Sequence, residues 1–245
     1  VLVHGAFSDH RTNWEFVLPL LENQFTLYAM ARRGRGRSDA TQGHSVSDEA
    51  ADAAALIRAV GEPVSLLGHS YGAHVALAAA ALAPGKVRRL VLYEPPWPHL
   101  VGSLLKSLAP LWKAGDWDAF TFSFFRDFLL VPVPELECLR AEGLWAPMVA
   151  DAKATLGDLR ALSRYHFHPE RFRSLRMPVL LQYGTESPRH LYATDVLADI
   201  LPNATVGELE GQAHEAMTTA PKLYAEAVAG FLLESSRRPL ALAAL

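Results

Sequence analysis

The chain has 245 residues, half of them hydrophobic, and a formal net charge of -3 at pH 7. That is enough chain for a sizeable core, and the charge gives no general bias toward nucleic acid or an anionic membrane surface. Its single cysteine, Cys138, excludes an internal disulfide and a multi-cysteine zinc site, and no apolar run reaches the roughly 18 residues a membrane-spanning helix needs.

The sequence opens at Val1, inside an apolar stretch and without methionine, so a signal peptide would lie outside it and a cytoplasmic location is only an expectation. The run VLVH (1–4), closed by Gly5, predicts a buried strand. Residues 12–24 have helical spacing of apolar side chains, and 26–34 read as a strand entering a glycine-arginine loop. Residues 45–61 carry a serine start, early acids and a terminal glycine, the marks of a capped helix. A strand at 63–69, a helix at 70–85 and a strand at 87–96 follow.

Between 97 and 173 helical patterns take over and aromatic residues concentrate. Alternation then returns: strand 177–184, helix 190–202, strand 204–211 and helix 220–235. Apolar strands alternating with helices predict an α/β fold, a mostly parallel sheet covered on both faces. Residues 1–96 and 174–236 then form the core, 97–173 a helical cap, and 237–245 a tail that packs on the surface or is disordered.

The segment SLLGHSYGA (65–73) puts Ser70 between a strand and a helix, with Gly68 and Gly72 on either side. That context suits a nucleophile elbow, in which a strained turn lifts the serine oxygen above the sheet and a helix start faces it. The plain alternative is a serine that caps the helix. A hydroxyl needs a base, and His214, on the loop after the 204–211 strand, is the best-placed histidine. His69 adjoins the serine, but neighbours on a tight elbow point apart. The loop ARRGRGRSD (31–39) is read as arginines pairing with carboxylates or satisfying backbone carbonyls, and not as a nucleic-acid patch.

With HGAF after the first strand, RRGRGRSD after the second, GHSYG at the elbow and GQAH near the end, the chain resembles the α/β-hydrolase superfamily, most closely its small serine esterases. The resemblance implies Ser70 as nucleophile, His214 as general base, and an oxyanion hole from the backbone N–H groups of Ala6 and Tyr71. Tyr71 and Phe7 border that hole, and Phe7 would shape the substrate pocket. The family usually has two further strands before HGAF, for which this sequence has no room. Its final motif often reads Gly-x-Gly-His, where Ala213 stands here.

The triad acid stays open. The family's usual position holds Ser187, one residue after Glu186; some relatives draw the acid from the strand end where Glu94 stands. Glu186 is the first candidate and Glu94 the alternative, with Asp195 or a dyad behind them. The expected activity is hydrolysis of a small or medium, mostly apolar ester or lactone through an acyl-enzyme. No metal or organic cofactor is needed, and the partner is a small-molecule ester, with no nucleic acid or membrane. A carbon–carbon hydrolase or lyase and a ligand receptor are the rival readings. An aromatic, acid-poor cap lining would favour an apolar substrate group.

Overall fold

The computed structural model describes residues 1–39, 43–141 and 143–234. Six parallel strands form one sheet: β1 (Leu2–Val3), β2 (Ala29–Met30), β3 (Val64–His69), β4 (Val87–Tyr93), β5 (Val179–Gly184) and β6 (Ala204–Leu209). Their order is β2-β1-β3-β4-β5-β6. Strand β5 is buried at every position and β4 at all but Arg88, as strands covered on both faces should be. β6 lies at the edge and leaves Thr205, Val206 and Glu208 exposed.

The capped helix is α2 (Val46–Val60), preceded by the short α1 (Leu18–Leu21). Ser45 and Asp48 close a reciprocal capping box on α2, and Gly61 ends it at φ 85°. α3 (Tyr71–Leu82) is alanine-rich and buried along most of its length, so it packs closely between β3, β4 and α2. Between β4 and β5 come α4 (Pro98–Ser107), α5 (Ala109–Ala114), α6 (Trp117–Ser123), α7 (Val133–Ala141) and α8 (Trp145–Ser163), which make up the helical cap. α9 (Thr194–Ile200), α10 (Ala216–Thr219) and α11 (Pro221–Leu233) complete the core. None of these helices is long and apolar enough to cross a membrane.

The helix expected over 12–24 shrinks to α1. Asp9 Oδ1 takes the N–H groups of Arg11 and Thr12 at 2.7 and 2.9 Å, and the bonds Trp14 N–H to Arg11 O and Val17 N–H to Trp14 O span three residues. A chain of turns results, with Pro19 unable to donate. The apolar spacing is still used, because Trp14, Val17 and Leu21 are buried under the sheet. The expected tail, 237–245, lies outside the described residues.

Candidate active site

The end of β3 turns into α3 through Ser70, whose backbone sits at φ 54° and ψ -120°. Such a conformation is strained for a residue with a Cβ, and the fold holds it through a Ser70 N–H bond to Tyr93 O at 2.8 Å. Ser70 occupies the helix N-cap position, yet its side chain makes no capping bond. The helix-cap explanation therefore fails, and Oγ is left for other work. Close approach explains the flanking glycines. A methyl group on Gly72 would lie 2.3 Å from Val3 O, and one on Gly68 would lie 2.6 Å from Gly72 O.

His214 arrives from the loop after β6. Its Nδ1 is 2.6 Å from Glu94 Oε2, and both side chains are almost wholly buried. Glu94 Oε1 accepts the Gly184 N–H at 2.8 Å, so both carboxylate oxygens are engaged. Glu94 itself takes φ 47°, a second strained non-glycine residue at a strand end. Burial works against a charged His214, but the hydrogen bond and charge of Glu94 outweigh it and raise the imidazole above its ordinary range.

The first-choice acid of the sequence reading is not brought to the base. Glu186 is exposed, and its backbone N–H bonds Gln212 O at 2.9 Å. The β4 end delivers Glu94 instead, while Ser187 is buried where the usual acid would stand. Asp195 pairs with Arg189 on the surface. Ala213 needs no left-handed backbone, since the positive φ of this loop falls on Gly211.

Three further residues set the base and had no local sequence signal. Tyr192 stacks on the His214 ring at 5.5 Å and 12°, with its hydroxyl 3.2 Å from Nδ1. His69 Nε2 lies 3.1 Å from His214 O, and burial keeps His69 neutral by lowering its pKa. The Tyr93 hydroxyl donates to Ala213 O. With Nδ1 committed to Glu94, Nε2 is the ring nitrogen of His214 that this pair leaves out.

The HGAF loop is fastened on both sides of Ala6. Gly5 N–H donates to Asn13 Oδ1 at 2.8 Å, and Phe7 N–H to Thr155 Oγ1 of α8 at 2.7 Å. The Ala6 N–H is left out of these bonds. Phe7 also has a packing role that was not expected. Its ring packs 4.6 Å from Phe124 and 5.2 Å from Phe125, so it joins the cap to the core. It also lines a small cavity of about 40 Å³ beside Ala6, together with Leu139, Met148 and Glu215.

Nor is the cap acid-poor above the base. Glu135 of α7 has a buried Oε1 without a partner; burial raises its pKa, and His214 and Glu94 are among its electrostatic neighbours. Burial also lifts Glu215 to about 7. Among the described residues, His69, His214 and Glu215, and separately His44, Glu49 and Asp158, bring three metal-type ligands together. Arg32 and Arg35 already supply cations to the second group, and the imidazoles of the first are engaged as above.

A family described as "Alpha/beta hydrolase family" matches residues 1–227. The pyrrolizixenacetamide deacetylase of Xenorhabdus hominickii is 39% identical over 94 residues, which is 38% of this chain and only 35% of that enzyme. The non-heme chloroperoxidase of Streptomyces lividans is 28% identical over 242 residues, covering 91% of this chain and 87% of that one. Among solved structures, an alpha/beta hydrolase from Sphaerobacter thermophilus DSM 20745 superposes with a TM-score of 0.78 at 32% identity, covering 94% and 91% of the two chains.

Proposed function

The chain belongs to the alpha/beta hydrolase family, and from that premise we propose that it is a serine hydrolase acting on small or medium carboxylic esters or lactones. The observation that carries this reading is the 2.6 Å Glu94–His214 pair, assembled from two strand ends beside a strained Ser70 that caps nothing. Ser70 Oγ attacks the carbonyl carbon while His214 Nε2 takes its proton. The Ala6 and Tyr71 N–H groups receive the oxyanion. His214 then gives the proton to the leaving alkoxide, and water, activated by the same nitrogen, hydrolyses the acyl-enzyme. Glu94 holds the tautomer and offsets the imidazolium charge.

The buried, aromatic-rich cap supports an apolar acyl or alcohol group, while Glu135 leaves room for one hydrogen-bond donor on it. The test is turnover of p-nitrophenyl esters from acetate to long acyl chains, with Ser70→Ala as control. Ester turnover lost in the variant supports the reading. An inert wild type, or a variant that keeps the activity, sinks it and brings the carbon–carbon hydrolase and receptor readings forward.

A further inference from the structure

Arg32, Glu49 and Asp158 are fully buried charges that the chemistry above does not use. They come from three places: the loop after β2, the core helix α2 and the cap helix α8. Arg32 donates to Glu49 Oε2 at 2.8 Å and to Asp158 Oδ2 at 2.7 Å. Arg35 adds bonds to Asp158 and to Asp151, also on α8.

The rest of the Arg32 guanidinium is turned on the HGAF loop. Nε donates to His4 O at 3.0 Å and Nη2 to Gly5 O at 2.8 Å. The Gly5 carbonyl and the Ala6 N–H are the two ends of one planar peptide unit. Fixing that carbonyl therefore fixes the direction of the N–H, and a cation on the oxygen makes the N–H a stronger donor. His4 Nδ1 lies 2.8 Å from the same oxygen, while His4 Nε2 lies 3.3 Å from the Arg32 N–H. The guanidinium also lies 4.5 Å from the centre of the Tyr71 ring, on the residue that carries the second N–H. One step further along the loop, Thr155 of the cap accepts the Phe7 N–H.

We propose that Arg32 is a positioning residue of the oxyanion hole, aligning the Gly5–Ala6 peptide and Tyr71, and that Asp158 and Thr155 tie this alignment to the seated cap. The proposal rests on the serine-hydrolase reading. It is tested on the full chain with a fluorophosphonate probe, which needs the serine, the base and the oxyanion hole but no knowledge of the natural substrate. Second-order labelling rates are compared for wild type, R32K, T155V and the exposed-pair control D127N, with kcat and KM on one p-nitrophenyl ester.

R32K keeps the charge but loses the planar fork. Its labelling rate and kcat are expected to fall about ten- to hundredfold with KM within about twofold, since small misplacements at a reacting centre cost that much. T155V is expected to lose about tenfold, and D127N nothing. Folded R32K and T155V proteins that label and turn over within about twofold of wild type overturn the proposal. If R32K does not fold, T155V decides alone on the same terms. Wild type labelled at Ser70 with both variants unaffected sinks this inference only. A wild type inert to the probe sinks the hydrolase reading and this inference with it.

Discussion

At the scale of single residues, the chemistry turns on which carboxylate serves His214. Glu94 is bonded to it and buried, whereas Glu186 is exposed on the neighbouring loop. Glu94→Gln is expected to lower kcat by about three orders of magnitude or more, the scale seen when a triad acid loses its charge, and Glu186→Gln to change it less than about twofold. Steady-state kinetics on one ester decide between them. The pH profile carries the same information. A base raised by Glu94 puts the acidic limb of kcat/KM above the ordinary histidine value of about 6.5. In Glu94→Gln the hydrogen bond to a charged partner is lost and only the weaker pull of Glu215 and Glu135 opposes burial, so the limb shifts to lower pH as the plateau drops. The raised pKa has the opposite sign for folding. The stability it contributes is fully present below the unfolded value and is lost as pH rises through the folded one. The choice between the two glutamates was not legible in the sequence, because both stand at strand ends and only the sheet register brings β4 alongside β5 at Gly184.

At the scale of elements, the capped helix α2, the elbow and the strand-helix alternation could be read directly, because each has a local cause. Ser45, Asp48 and Gly61 bound α2, and Gly68 and Gly72 permit the elbow. The turns over 12–17 could not be read, since Asp9 competes for backbone N–H groups that helical spacing assigns to a helix. The packing role of Phe7 was hidden for another reason: its neighbours Phe124 and Phe125 are more than a hundred residues away. Phe7→Ala should cost about 3–5 kcal/mol, as other large-to-small aromatic truncations in packed cores do. Denaturant unfolding measures it. Asp158→Asn, which leaves Arg32 partly unpaired in the interior, should also cost about 3–5 kcal/mol. An unchanged unfolding midpoint in either variant contradicts the cap-to-core attachment described above.

At the scale of the molecule, the parallel sheet places the Ser70, Glu94 and His214 contributions at the carboxyl ends of three strands, where α/β folds build their sites. A cavity of about 410 Å³ lined by Val1, Leu27, Ser65 and Leu232 sits at the strands' amino ends and contains none of the site residues. The cavity of about 40 Å³ beside Ala6 likewise contains neither Ser70 nor His214. The order of motifs along the chain made this architecture legible; the contacts that seat the cap were not, because they join residues distant in sequence. The most direct measurement is mass spectrometry of the protein quenched during turnover of a slow ester. One acyl group is expected on the peptide carrying Ser70, absent from Ser70→Ala. Turnover with no adduct on that peptide, or an adduct that survives in the variant, would contradict this expectation.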